Sequence, residues 1–223
     1  MSKYSSLDGL FDDWKKECSA PFIPDGFLGD SEGPVEILFI AKESHHKEFD
    51  SLDDNKEPAN ETDKKDKEEP EFWLKKQVAK WCSEYVAEIE LDKFEAVKGH
   101  SCGCTRFEKT IGTKFIKCML RCYMLAKAVQ KVNISVLENC AFINLNKHGG
   151  GRKCDDERLK KIALSEQKLI KKEIDIINPK TIILLGEVDS ETKKIITDTG
   201  HEVKVFQYHP SARRSVSSGK FIE

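Results

Sequence analysis

The sequence lacks a long apolar run and a strong excess of charge, and each absence argues against a class of protein. No stretch approaches the roughly 20 apolar residues that a transmembrane helix needs, so we expect no membrane span. The first residues have no hydrophobic signal core, which leads us to expect a cytoplasmic protein. The chain has 37 basic and 39 acidic side chains. Binding to nucleic acid would therefore depend on a local basic patch, because the net charge supplies no attraction.

The sequence also lacks a clear cysteine framework, although it contains eight cysteines. In a reducing compartment these are expected to be free thiols. Cys118 and Cys122 lie four residues apart in a helical pattern, and Cys140 lies in an apolar strand, so we interpret them as small core residues. We expect no cofactor. Zinc bound through Cys102, Cys104 and Cys154 remains the alternative, although C-x-C without a second pair is a weak metal signal.

The length of 223 residues suits one α/β domain, and we treat residues 1–223 as a single domain. Residues 50–70 are almost wholly polar and rich in charge of both signs. Such a segment buries too little apolar surface to offset its ordering entropy, which predicts a solvated, flexible insertion.

Apolar strand patterns alternate with amphipathic helical patterns along the chain. The helical patterns cover residues 7–18, 71–89, 107–132, 155–177 and 189–199, and the strand patterns cover residues 35–41, 140–145, 181–186 and 203–208. This alternation predicts an α/β fold, a three-layer α/β/α sandwich around a central four-stranded parallel sheet.

Polar clusters lie at the carboxyl ends of three of these strands, and we expect the first cluster in a loop. They are Lys42–His46, Asn144–His148 and His209–Ser211. In open parallel sheets the ligand crevice lies beyond the carboxyl ends of the strands, so the three clusters are expected to meet there. His209 and Ser211, followed by two arginines, suit an anionic ligand. A plain surface turn is the other interpretation of the His-Pro-Ser sequence.

In their order and spacing the clusters resemble the motifs of the uracil-DNA glycosylase superfamily. The similarity covers about residues 35–215, without the charged insertion. At 40–46 the chain has IAKESHH where the family has a motif near GEAPG, and at 144–152 it has NLNKHGGGR where the family has NVVKCRPPGNR. At 178–186 it has NPKTIILLG, and the family has a proline before a strand that ends in LG. The final family motif, HPS, is present at 209–211. The glycine and the proline of the first family motif are absent here.

This resemblance implies a uracil-DNA glycosylase-like fold and a DNA repair hydrolase that cleaves the N-glycosidic bond of a deaminated or damaged base. It implies that His209 donates to the base oxygen that becomes negative and that Glu43 orients or deprotonates the attacking water. Asn144 would recognise the edge of a flipped base, and Phe49 is the nearest candidate to stack on it. Phosphate contacts are expected from Lys147, Arg152, Ser211, Arg213 and Arg214.

Some branches of the superfamily hold a [4Fe-4S] cluster, with one cysteine at the position that His148 occupies here. Iron-sulfur therefore joins zinc as the alternative for Cys102, Cys104 and Cys154. The expected partner is DNA or a nucleotide, and the expected state is a monomer.

The divergent first motif leaves two other functions open. One is a non-catalytic nucleotide or nucleic-acid binding protein that retains the fold. The other is a scaffold that binds a protein partner through residues 50–70.

Overall fold

The secondary structure comes from a computed structural model that describes residues 3–17, 22–30, 33–45, 73–84, 88–91, 114–150, 155–206 and 221–222. The helices are α1 (Lys3–Glu17), α2 (Trp73–Glu84), α3 (Lys114–Lys127), α4 (Asp156–Ser165), α5 (Gln167–Ile177) and α6 (Ser190–Thr197), with a 3-10 helix at Ile134–Asn139. The strands are β1 (Gly26–Phe27), β2 (Val35–His45), β3 (Ile89–Glu90), β4 (Lys131–Val132), β5 (Cys140–Gly150), β6 (Pro179–Leu185), β7 (Glu202–Phe206) and β8 (Phe221–Ile222). The expected insertion at 50–70 lies outside the described residues.

Six strands form a mixed sheet in the order β1-β5-β2-β6-β7-β8. The central strands β5, β2, β6 and β7 are parallel to one another. They are the four strands that the sequence patterns predict. The sequence patterns do not predict β1 and β8, which pair antiparallel at the two edges. Each has two residues, too few for a periodic pattern.

Helices cover both faces of the sheet, which confirms a layered α/β/α arrangement. Leu38 and Ile40 of β2 pack with α1, α4, α5 and α6 in one hydrophobic cluster, which we call the first layer. Ile37 and Phe39 pack with α2, α3 and the 3-10 helix in the second layer. The alternation follows from the two-residue period of a strand, and a strand buried on both faces must be apolar throughout.

Some helices begin or end at other residues than the sequence patterns predict, because local capping contacts determine where they begin and end. The expected helix over 155–177 is two helices, because the backbone of Glu166 leaves helical geometry between α4 and α5. Asp155 and Asp189 begin α4 and α6 by accepting hydrogen bonds from first-turn backbone N–H groups. Asn178 ends α5 in the left-handed conformation. None of the described helices is long and apolar enough to span a bilayer.

The first two polar clusters lie within longer strands than we expected. The first was expected in a loop, and the strand that carries Asn144 was expected to end at residue 145. β2 continues to His45 and β5 continues to Gly150. The two strands pair with each other through this extension, with a register shift between Glu43 and His45. Mutual pairing satisfies the backbone groups of both segments, and a polar sequence gives no sign of such a long-range pairing.

Candidate functional site at the carboxyl edge of the sheet

The sheet register brings the first two polar clusters side by side. Ala41 of β2 pairs with Asn144 of β5, and Glu43 pairs with Asn146. The chain passes from β2 to β5 on one side and then crosses to β6 on the other side of β2. Such a reversal of direction creates a crevice beyond the carboxyl ends of the strands on either side of it. By this rule the crevice lies between β2 and β6, so polar residues of β2 border it and those of β5 lie on the next strand.

Asn144 lies on the edge of β5 that faces the segment directly before β1. Its backbone N–H donates to Oδ2 of Asp25 over 2.6 Å, and its side-chain Nδ2 lies 3.4 Å from the same oxygen. The residue is 6% exposed. Its neighbour Asn146 is fully buried, and its Oδ1 accepts a hydrogen bond from the backbone N–H of His148 over 2.9 Å.

Lys147 lies in the interior, in contact with two carboxylates. Its ammonium pairs with Oδ1 of Asp25 and lies 2.9 Å from Oε1 and 2.8 Å from Oε2 of Glu173. It also lies 5.4 Å from the ring of Trp14 and 5.7 Å from that of Phe11, both in α1. We expected a phosphate contact from this lysine. The structure instead places it in the first layer with a 0% exposed side chain.

Burial and charge act in opposite directions on this cluster. Burial alone would lower the pKa of Lys147, but the charges and hydrogen bonds of Asp25 and Glu173 outweigh it and raise that pKa. Burial is also the largest influence on Glu173, and it raises the pKa of that carboxyl well above 4.5 despite the nearby ammonium. Two carboxylates and one ammonium leave one negative charge in excess, so the raised pKa moves Glu173 toward its neutral form.

A second polar pair joins β5 to the break between α4 and α5. Nε2 of His148 lies 2.7 Å from Oε1 of Glu166, with both side chains largely buried. Glu166, which separates α4 from α5, is therefore also the residue that contacts β5. Nearby, Lys42 of β2 donates to Asp156 of α4 over 2.6 Å, which ties the first turn of α4 to the carboxyl end of β2.

Asp25 and Glu173 are not among the site residues that we predicted from the sequence. Asp25 lies in a connection rich in proline and glycine, where an acidic residue usually indicates only a turn. Glu173 was detectable, because Ile170, Ile174 and Ile177 place it within the apolar stripe of α5. An acid in such a stripe needs a partner, but the pattern does not say which one.

Two further cationic residues that we did not single out, Lys117 and Arg121 of α3, are 5% exposed. Lys127, in the last turn of this helix, donates to Glu36 at the amino end of β2 over 2.6 Å. Along the axis of α3, Arg121 lies about 9 Å and Lys117 about 15 Å from Lys127. They add positive charge within the second layer.

Most of the other predicted site residues lie outside the described residues. These are Phe49, Arg152, His209, Ser211, Arg213 and Arg214, together with the candidate metal ligands Cys102, Cys104 and Cys154. Of Glu43 only the backbone is described. Within the described part of the chain, no group of three or more His, Cys, Asp or Glu side chains suits a metal ion. Cys82, Cys118, Cys122 and Cys140 are free thiols, as expected.

Comparisons with protein-family models, curated proteins and solved structures give no match to this chain.

Proposed function

We propose that the protein is a DNA N-glycosylase that binds a flipped, deaminated base at the carboxyl edge of the sheet and hydrolyses its N-glycosidic bond. In this proposal Asn144 recognises the base edge, Glu43 orients the attacking water and His209 stabilises the leaving base anion. Phe49 stacks on the base. Ser211, Arg213 and Arg214 hold the flanking phosphates.

The observation that carries the proposal is the parallel register of β2 and β5. It sets Glu43 two residues beyond the pair formed by Ala41 and Asn144, on neighbouring strands about 4.8 Å apart. β7, the strand before His209, runs in the same direction three positions from β5. The span from β5 to β7 is about 14 Å, which leaves room for a base between side chains that extend from both strands.

The environment of Asn144 also supports the proposal. A side-chain amide carries both donor and acceptor, as recognition of a base edge requires. Asn144 is nearly buried, where loss of solvent strengthens hydrogen bonds to a bound base. Lys147 has no part in phosphate binding here, since both neighbouring carboxylates engage its ammonium.

The direct test is base release from single- and double-stranded DNA that contains uracil, hypoxanthine or xanthine. We expect release from at least one substrate, and a loss of roughly 100- to 1000-fold in Asn144→Ala and His209→Ala. Asn133→Ala is the matched control, because Asn133 caps the 3-10 helix through its side chain. That variant should keep full activity. No release from any of the three lesions by the wild-type protein would reject glycosylase activity on them.

A second candidate, non-catalytic binding of nucleotide or nucleic acid, is favoured by the extension of β2. Glu43 lies in a paired strand, and the glycine and proline of the family's first motif are absent. Fluorescence anisotropy with labelled DNA and with nucleotides distinguishes the two functions. A protein that only binds should keep its affinity in Glu43→Ala, lose it in His209→Ala or Arg213→Ala, and release no base.

A further inference from the structure

Asp25 is fixed more firmly than a residue in a short connection usually is. Ile23 N–H donates to the carbonyl of Lys147 over 2.8 Å, and Leu28 N–H donates to the carbonyl of Cys140 over 3.0 Å. Between them Gly26 pairs with Phe142 of β5. The segment that carries Asp25 is thus bound to β5 on both sides of the residue.

Gly26 makes this path possible. Its φ of +123° lies in the region that favours glycine, and a Cβ at this position would lie 2.5 Å from Cδ2 of Leu7. The chain turns here directly after Asp25. The backbone therefore sets the direction from which the carboxylate reaches β5.

The carboxylate of Asp25 joins two different side chains of β5. Its Oδ1 pairs with the ammonium of Lys147, and its Oδ2 accepts the backbone N–H of Asn144 at 2.6 Å, with Nδ2 of Asn144 at 3.4 Å. Glu173 pairs with the same ammonium. Asp25 is thereby held in place by contacts other than those that it makes with Asn144.

An ionised carboxylate only accepts hydrogen bonds, which restricts the amide of Asn144 to one orientation. The NH2 group must face Asp25, so Oδ1 faces away from it. The 3.4 Å contact is long for a hydrogen bond. It nevertheless determines the orientation, because a flipped amide would place Oδ1 against an anionic oxygen.

We propose that Asp25, held by Lys147, is a positioning residue that fixes the side-chain amide of Asn144 and so limits the bases that Asn144 accepts. This inference rests on the proposed function for its substrate. Uracil, hypoxanthine and xanthine present an N–H beside a C=O. Cytosine and adenine present a bare ring nitrogen beside an NH2, which reverses the donor and the acceptor. An amide with one fixed orientation distinguishes these edges, and one that flips accepts both.

Asp25→Asn is the informative variant, with Glu173→Gln as its matched control. Asn at 25 has nearly the same shape. The ammonium of Lys147 selects its oxygen, so its NH2 group replaces Oδ2 and faces Asn144. The amide of Asn144 then flips to present its own oxygen, and its backbone N–H loses an acceptor. Glu173→Gln changes the same buried network but leaves Asp25 paired with Lys147 and against Asn144.

The first measurement is the ratio of uracil to cytosine release from matched DNA substrates. We expect the ratio to fall on the order of 10- to 100-fold in Asp25→Asn, the range that one well-oriented bidentate contact supplies. It should stay unchanged in Glu173→Gln. A merely structural role would lower both rates in proportion, and an unchanged ratio in Asp25→Asn would overturn the inference.

The second measurement is independent of catalysis and needs no variant. Nuclear magnetic resonance relaxation should show that the side-chain NH2 group of Asn144 is more ordered than that of Asn139, which is exposed. Equal order in the wild-type protein would reject a fixed amide even if glycosylase activity is present. An ordered amide without base release would reject the proposed function and retain the positioning role.

Discussion

Two clusters of lysine and carboxylate lie toward opposite ends of the same parallel sheet and differ in both composition and burial. Toward the carboxyl end, Lys147 lies between Asp25 and Glu173, with side chains 0–1% exposed. At the amino end, Glu36 accepts from Lys127 and Lys180, and these side chains are 25–58% exposed. One cluster has an extra acid inside the protein, and the other has an extra lysine in contact with water.

The difference shows that similar ion pairs have different consequences in different surroundings. Water screens the exposed cluster, so each pair contributes little to the free energy of unfolding. The buried cluster has lost the hydration of all three groups and depends on its internal contacts. Stabilisation is then a weak explanation for its presence, and control of the orientation of Asn144 is a stronger one.

The largest effect is expected from breaking the buried cluster with Lys147→Met. This change leaves Asp25 and Glu173 buried without a cation, and the free energy of unfolding should fall by about 3–5 kcal/mol. Lys127→Met is the matched change in the exposed cluster and should cost no more than about 1 kcal/mol. Urea unfolding of both variants measures the two losses. Equal losses would remove the distinction between the clusters.

Neutralising the whole buried cluster should restore most of the lost stability. The combination Asp25→Asn, Lys147→Met and Glu173→Gln removes all three charges while keeping the side chains close to their original size. We expect its free energy of unfolding to exceed that of Lys147→Met by at least about 2 kcal/mol. Urea unfolding against both parents tests this. A triple variant no more stable than Lys147→Met would show that the lost interactions of the lysine, rather than the uncompensated carboxylates, cause the damage.

The raised pKa of Glu173 predicts a dependence of stability on pH that Glu173→Gln should remove. From pH 4.5 up to the raised native pKa, the native state holds a proton that the unfolded chain has released. Stability therefore decreases as pH rises through this window, by up to about 1.4 kcal/mol per unit. Urea unfolding across this window should show the slope in wild type and less of it in the variant. The same slope in both proteins would contradict a raised pKa at Glu173.

The smallest effect is expected at Glu36, and its pH dependence has the opposite sign. Hydrogen bonds from Lys127 and then Lys180 lower the pKa of this carboxyl below 4.5. Its contribution is present above pH 4.5 and is lost as pH falls through the lower native pKa. Glu36→Gln should cost less than about 1 kcal/mol at neutral pH, and added salt should reduce the difference. A larger loss that salt does not change would place Glu36 with the buried cluster.

The sequence patterns predicted the elements whose formation depends on local chemistry. The helix at residues 3–17 has its apolar residues at helical spacing, and Leu10 and Trp14 are buried as that spacing requires. The four parallel strands were recognisable as apolar runs. The pairing of Lys42–His45 with β5 was not, because the partner lies about 100 residues along the chain and polar residues carry no periodic signal there. The break at Glu166 was missed for a similar reason, since its contact with His148 is made across the fold.

The site residues stay a prediction, of which the structure describes a part. The sequence singles out Asn144, and the register places it beside β2 at the carboxyl edge. In the sequence Lys147 has the same status as the arginines near the C-terminus, since nothing in the pattern distinguishes a buried lysine from an exposed one. The acids that neutralise it come from Asp25, 122 residues away, and Glu173, 26 residues away.

Local periodicity and spacing are enough to predict the alternation of strands and helices and the layered α/β class. They also place Asn144 on the second predicted strand. Tertiary structure alone decided the order of the strands, the extension of β2 and β5, and the burial of Lys147 between two acids. These follow from which distant segments pack together, and a charge keeps its hydration or loses it only when that packing is complete.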